Sequence, residues 1–200
     1  MSGTFPSTPT PQSIEVQSIE PTLVSVTSNL TRQVRSRGGQ RWGFSVRFAP
    51  MTRANFDPIF AFSVKQRGQY ETFTWVPTTI GTTSGVTTES PVVDGAASVG
   101  ASSCSVDGLT VSTSSILKTG DFFKFSGQNK IYMCTADMSS DGSGDATLNF
   151  APKLATAVAD NETITINSVP FNVSFSSDIR SYATNATAYY SYEIELVEVA

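Results

Sequence analysis

The chain of 200 residues contains no histidine, and this absence argues against most classes of enzyme. Histidine is the commonest general base in proteins and the commonest metal ligand. Without it, no nucleophile can be paired with an imidazole base, although chemistry by paired carboxylates is not excluded. We therefore predict a non-enzymatic protein with no cofactor and no metal centre.

Cysteine is scarce, with Cys104 and Cys134 as the only two. Two cysteines are too few for a secreted disulfide scaffold, and they lack the spacing of a metal site. We predict two free, buried thiols. A disulfide that pins two strands of one unit is the alternative.

The sequence also lacks a long apolar run. No stretch approaches the 18 or so apolar residues of a transmembrane helix, so none is expected. Residues 1–12 are polar and rich in Pro, Ser and Thr, with neither the basic start nor the apolar run of a signal peptide. We expect them to form a flexible N-terminal arm that becomes ordered only against a neighbouring molecule.

Charged residues are few, at 15%, whereas aromatic residues reach 10% and include 13 phenylalanines. Together with abundant Ser, Thr and Gly, this composition favours many short strands joined by turns. The clearest strand is residues 41–48, where Trp42, Phe44, Val46 and Phe48 alternate with polar or small residues. The sequence therefore predicts a mainly β fold.

One segment has helical spacing. Asp57 followed by Pro58 predicts a helix start, with Asp57 as N-cap and Pro58 at the first helical position. Thr52 is an alternative cap for an earlier turn, and Gly68 is a plausible end. We predict one short helix packed on a sheet.

The order of the strand patterns predicts two units. Residues 78–103 are rich in Thr, Ser and Gly, and the chain then carries short strands and turns until residue 167. Among these, residues 122–125 and 130–135 predict a hairpin joined by a turn at residues 126–129. Strand patterns of the first kind return at 171–175 and 189–199. We therefore predict a discontinuous β-sandwich from residues 13–77 plus 170–200, with residues 78–169 inserted as a small β-barrel-like domain.

Three segments carry a resemblance to a known family. They are RWGFSVRFAPMTRANFDPIFAFSVKQRGQYETF (41–73), LKTGDFFKFSGQNKIYMCTADMSSDGSGDATLNFAPKL (117–154) and SYEIELVEV (191–199). In its pattern of strands and turns the chain resembles the distal tail proteins of long-tailed bacteriophages. The family's accessory domain often follows the ring domain, whereas here it is inserted. A tail tube subunit or another baseplate subunit is therefore an alternative.

The resemblance implies a structural virion protein of the tail tip, assembled in the host cytoplasm. Such proteins form a homo-oligomeric ring, usually a hexamer, that joins the tail tube to the hub or baseplate. The ring also supports receptor-binding parts. Expected partners are therefore copies of the chain itself, tube and hub proteins, and receptor-binding proteins or a host-surface glycan.

The distribution of charge suggests where copies of the chain would meet. Residues 1–77 hold eight basic and four acidic residues, a net +4, whereas the remainder holds five basic and thirteen acidic residues, a net −8. A basic surface of one subunit could face an acidic surface of the next. The candidate interface residues are Arg32, Arg35, Arg37, Arg41, Glu193 and Glu195. The arginines form no dense basic run, so we predict no nucleic-acid partner.

Three further groups point to other functions. Exposed aromatic residues would suit a carbohydrate-binding module, and the candidates are Phe122, Phe123, Tyr132 and Trp75. Asp137, Asp141 and Asp145 have calcium-like spacing, but the loop lacks the bidentate glutamate of an EF-hand, so a β-turn is predicted. Glu193 and Glu195 could form a carboxylate pair that acts on sugars, although an outer strand face favours contact with a neighbour's arginines.

Overall fold

The structure, a computed structural model, describes residues 3–200 and consists mainly of short strands. In chain order the elements are β1 (Ser13–Ile19), β2 (Thr22–Val26), β3 (Arg32–Ser36), β4 (Arg41–Arg47), α1 (Arg53–Lys65), β5 (Phe73–Trp75), β6 (Val92–Asp94), β7 (Ser103–Asp107), β8 (Phe122–Phe125), β9 (Ile131–Cys134), β10 (Ala146–Ala151), β11 (Ile164–Thr165), β12 (Phe171–Phe175), β13 (Ala183–Thr184), β14 (Tyr190–Ser191) and β15 (Glu193–Glu198). The predicted fold class is confirmed, because the described chain is mainly β with a single helix and a barrel-like sheet.

The first sheet combines both ends of the chain. Its five strands are antiparallel neighbours in the order β1-β4-β15-β12-β5. The alternation predicted for β4 is present, since Trp42, Phe44 and Val46 are buried while Arg41 and Arg47 are exposed. One face of this sheet therefore covers a hydrophobic core, and the other faces outward.

Helix α1 packs on the buried side of this sheet but begins earlier than predicted. Thr52 occupies the N-cap position, so the predicted start at Asp57 and Pro58 is wrong, and Pro58 lies inside the helix. The reason is tertiary packing. Phe56, on the buried face of the helix, stacks on Tyr190 at 4.7 Å and contacts Tyr182 at 4.8 Å. The stabilisation from this aromatic packing exceeds the cost of the one helical hydrogen bond that Pro58 cannot donate.

The end of α1 is also displaced from the prediction. The helix ends at Lys65, with Gln66 rather than Gly68 as its C-cap. Gly68 follows in the left-handed region at φ +69°, and a Cβ there would lie 2.6 Å from Oδ1 of Asp178. Glycine is therefore required by the turn after the helix, not by its cap.

The N-terminal segment is anchored by Phe5. The Phe5 backbone N–H donates to the Thr74 carbonyl at 2.8 Å, and the Thr74 N–H donates to Gly3 at 3.0 Å. The Phe5 ring is buried against Phe62 and Phe73. The expectation of an arm with no core contact in its own chain is therefore wrong at Phe5; Met1 and Ser2 lie outside the described residues.

Residues between β5 and β12 form a second sheet, in the order β11-β8-β9-β10-β7-β6. Its two outer strands meet, because Val93 N–H donates to the Glu162 carbonyl at 3.0 Å and Ile164 N–H donates to the Pro91 carbonyl at 2.9 Å. The sheet therefore nearly closes into a barrel around its own hydrophobic core. The predicted hairpin of residues 122–135 is present as β8 and β9.

The chain enters and leaves the barrel at neighbouring strands. Trp75 at the end of β5 lies directly opposite Phe171 at the start of β12. This topology is compatible with an insertion. The domain limits at residues 78 and 169 stay a prediction, because the two units also share side-chain contacts.

Two smaller ribbons complete the fold. β2 pairs with β3, and β13 pairs with β14. The single long strand predicted for residues 189–199 is present as β14 and β15, which are interrupted at Tyr192. The helix, at 13 residues, has neither the length nor the apolar character that crossing a membrane requires.

Candidate assembly surface

The β2–β3 ribbon is the most exposed part of the fold. Its strands are joined through a turn in which Thr27 N–H donates to the Thr31 carbonyl at 3.0 Å. At its base, Arg37 N–H donates to the Pro21 carbonyl at 3.0 Å. All ten strand residues are exposed. A two-stranded ribbon without a core is marginally stable in water, so its surroundings decide whether it stays ordered.

One face of this ribbon is apolar. Val24 lies directly opposite Val34, and Val26 is on the same side, two residues along β2. Their side chains are 51%, 53% and 58% exposed, and Leu30 at the turn is 84% exposed. Uncovered apolar residues that share one face are typical of a surface that binds another protein.

The basic residues predicted for the interface lie on or beside this ribbon. Arg32 is opposite Val26 on the valine face, whereas Arg35 is opposite Leu23 on the other face. Arg37 follows β3, and all three are exposed. Within residues 3–200, none of the three is in an ion pair. Arg41 lies at the exposed start of β4, in the five-stranded sheet.

The two predicted acidic residues lie on the outward face of the five-stranded sheet. Glu193 is paired with Arg47 at 3.1 Å and accepts a hydrogen bond from Ser45 Oγ at 3.2 Å. Glu195 accepts a hydrogen bond from Ser176 Oγ at 2.9 Å. Within one chain, therefore, neither carboxylate is paired with an arginine of the candidate set. Their role at a subunit interface stays a prediction.

The aromatic candidates for sugar binding are not on the surface. Phe122, Phe123, Tyr132 and Trp75 are all buried. Phe123 and Tyr132 stack inside the barrel at 5.9 Å, and Phe122 meets Trp42 edge to face at 5.1 Å. The expectation that these rings form an exposed sugar platform is wrong, because they fill the two hydrophobic cores.

The aspartates with calcium-like spacing form a turn. Asp141 Oδ1 accepts the backbone N–H groups of Ser143 at 2.7 Å and Asp145 at 3.1 Å, and these bonds lower the pKa of Asp141. Asp137 accepts both the N–H and the hydroxyl of Thr119 at 2.8 Å. Among the described residues, no group of acidic, cysteine or histidine side chains could hold a metal ion.

Asp121 is a structural residue of the barrel. Its carboxylate accepts hydrogen bonds from the Thr83 hydroxyl at 2.6 Å, the Ser84 N–H at 3.0 Å and the Lys118 N–H at 2.9 Å. Burial raises the pKa of Asp121, but these bonds outweigh it and hold the pKa below its usual value. The carboxylate fixes the segment that leads into the barrel.

Both cysteines are buried and unpaired. Desolvation raises the pKa of Cys104 to about 11, and it also raises the pKa of Cys134. Buried thiols with raised pKa values stay protonated at neutral pH and react slowly.

Two features were not predicted from the sequence. Val24, Val26 and Val34 were not marked, because a strand pattern does not show whether its residues are covered in the folded chain. The buried contact of Lys130 with Glu198 was also missed, since no local pattern joins residues so far apart in the chain.

Comparison with known protein families matches part of the chain. Residues 77–169 match the family model described as "Distal tail protein pb9, B domain". No curated protein matches the chain. The matched segment coincides with the barrel and its two connections. The match supports a phage distal tail protein, and with it a structural protein of the virion tail.

Proposed function

We propose that this chain is a distal tail protein that assembles into a homo-oligomeric ring, of six copies, at the tip of a phage tail. In this role the ring joins the tail tube to the hub or baseplate and supports the receptor-binding parts. The chain acts as a scaffold and not as an enzyme. The β2–β3 ribbon is the observation that carries the assembly part of the proposal.

The ribbon needs a partner that its own chain does not provide. Val24 and Val34 are about half exposed, so their burial in an interface would stabilise the ribbon by roughly half of the 1.5–3 kcal/mol that full burial of an apolar side chain provides. A closed ring supplies such burial by a heterologous contact, in which one surface of each subunit meets a different surface of the next.

The complementary surface is the outward face of the five-stranded sheet. Glu15 lies opposite Ser45, which lies opposite Glu195, so two carboxylates share one row across three strands. An acidic row of this kind matches the arginines of a neighbour's ribbon in sign. The proposed interface therefore places the ribbon of one subunit over the sheet of the next.

The oligomeric mass of the 200-residue chain tests the proposal. Light scattering after size-exclusion chromatography, at micromolar concentration, is expected to give six times the chain mass of 21.4 kDa. Negative-stain images of the same fraction should show rings. A monomer in both low and physiological salt would contradict the proposed self-assembly.

A further inference from the structure

A buried ion pair lies where the barrel meets the five-stranded sheet. Lys130, just before β9, contacts Glu198 at the end of β15, and their side chains are only 6% and 0% exposed. Removing both charges from water is costly, and their attraction offsets this cost only when further hydrogen bonds satisfy the remaining atoms. The surroundings of the pair show whether that condition holds.

The Glu198 carboxylate joins three segments of the chain. Its Oε1 accepts the backbone N–H of Ile131 in the barrel at 2.7 Å, and its Oε2 accepts the N–H of Trp42 in the sheet at 3.1 Å. Lys130 Nζ donates to Glu198 Oε2 and also to Gln40 Oε1, the latter at 2.7 Å. The charged groups are therefore hydrogen-bonded on both sides of the junction.

Apolar contacts surround this network. Trp42 Nε1 donates to the Ile131 carbonyl at 2.9 Å, and the Trp42 ring meets Phe122 of the barrel edge to face. Phe122 in turn contacts Phe171 at 5.6 Å. Phe122 and Ile131 thus belong to the core of the sheet although they come from barrel strands.

The two covalent connections alone would leave the barrel free to pivot. They leave the sheet at β5 and β12, which are adjacent strands about 5 Å apart. Glu198 on β15 lies opposite Val173 on β12, whereas Trp42 on β4 is two strands from β12 and three from β5, or about 10 and 14 Å. The network therefore begins beside the β12 connection and adds a contact two strands beyond it, on the side away from β5.

We propose that the Lys130–Glu198 pair is an orientation lock, which holds the barrel at one fixed angle on the five-stranded sheet. Apolar contacts tolerate small slips, whereas a buried charge with directional hydrogen bonds permits one arrangement. The lock acts within one chain, so it is independent of ring formation.

Paired spin labels on the 200-residue chain measure the orientation of the barrel relative to the five-stranded sheet. The labels go on cysteines introduced at Val99 on the barrel and Val64 on α1, which are 63% and 55% exposed. The native thiols are buried with raised pKa values, so they react slowly with the reagent. Labelled chains are diluted tenfold with unlabelled chains so that distances between subunits do not contribute.

The test variant is Lys130→Met/Glu198→Met, which keeps side chains of similar size but removes the charges and their hydrogen bonds. The matched control, Arg47→Met/Glu193→Met, makes the equivalent change at the exposed ion pair of the same strand, β15. The lock predicts a distance distribution about twofold wider than wild type, or two populations, in the test variant only. The control should keep the wild-type width.

A wild-type width in the folded test variant would overturn the lock, because the apolar contacts would then suffice. Should that variant not fold, Glu198→Gln takes its place, because the amide oxygen still accepts one backbone hydrogen bond and the loss of stability is smaller. Its distance distribution is measured below its melting temperature. The same widening is expected there, and an unchanged distribution would equally overturn the lock. Ring formation, measured by mass, is a separate readout, so failure of either proposal is recognisable.

Discussion

The barrel and the β2–β3 ribbon use the same antiparallel pairing but differ in what their side chains contact. In the barrel, side chains of neighbouring strands pack against one another, and hydrogen bonds between the two outer strands nearly close the sheet. In the ribbon, every strand residue is exposed. Both regions use the same backbone pairing, but only the barrel has a hydrophobic core.

The two regions should differ most in how much free energy of unfolding is lost when a side chain is shortened. Phe125→Ala removes a fully buried ring that contacts Phe123, Tyr132 and Phe150, so we expect a loss of about 3–5 kcal/mol in the free energy of unfolding. Val34→Ala in the ribbon should change it by less than about 0.5 kcal/mol in dilute, monomeric protein. Urea denaturation checks both. A large loss from Val34→Ala would mean that the ribbon is already packed within its own chain.

Asp121, a buried polar residue of the barrel, should also contribute more to the free energy of unfolding than an exposed one does. Asp121→Asn replaces one accepting carboxylate oxygen with an NH2 group, which cannot accept the hydrogen bonds of Thr83, Ser84 and Lys118. We expect a loss of about 1.5–3 kcal/mol in the free energy of unfolding at pH 7, the range for hydrogen bonds to a charged group. Asp94→Asn, at an exposed position of the same barrel, is the control and should have little effect.

The effect of Asp121→Asn should depend on pH in a defined direction. Hydrogen bonds lower the pKa of Asp121 in the folded protein, so the folded state binds a proton less readily than the unfolded chain does. The stability that the carboxylate provides is present above its ordinary pKa of 3.8 and is lost as the pH falls through the folded-state pKa. Wild type and variant should therefore converge in stability at acid pH. A constant difference would contradict this account.

The smallest predicted change is in the strength of association when the charges of the ribbon are reversed. Reversal of Arg32, Arg35 and Arg37 to Glu should weaken association about tenfold, or roughly 1.4 kcal/mol, because exposed ion pairs contribute little each. The difference should shrink as salt is added. A control with the same charge change at exposed positions elsewhere replaces Lys65, Lys118 and Lys153 with Glu. Equal weakening in both variants would show a general effect of net charge and would argue against a basic interface.

The sequence predicted those elements in which one local pattern decided the structure. The alternation around Phe44 predicted β4 and its buried face, and the hairpin of residues 122–135 was predicted from its turn. The helix start was wrong because Asp57 and Pro58 form a strong local signal, whereas the packing of Phe56 depends on tyrosines more than a hundred residues away. Local patterns cannot contain that contact.

The candidate surface was predicted only in part. The arginines were found from the charge distribution, and the structure places three of them on or beside an exposed ribbon. Whether a strand is covered depends on the whole fold, so the exposure of Val24 and Val34 could not be inferred from the sequence. Burial of Phe5 and of the Lys130–Glu198 pair depends likewise on segments distant in the chain.

The oligomeric mass of Val24→Asp/Val34→Asp tests the central claim most directly. Since both side chains are exposed in the single chain, the variant should fold and melt like the wild-type monomer. It should nevertheless associate at least about 100-fold more weakly, because two apolar contacts are lost and two charges are placed in the interface. Val99→Asp, at a valine on the barrel that is 63% exposed, is the control and should keep the wild-type mass. Full-size oligomers of the ribbon variant at wild-type concentrations would contradict the account.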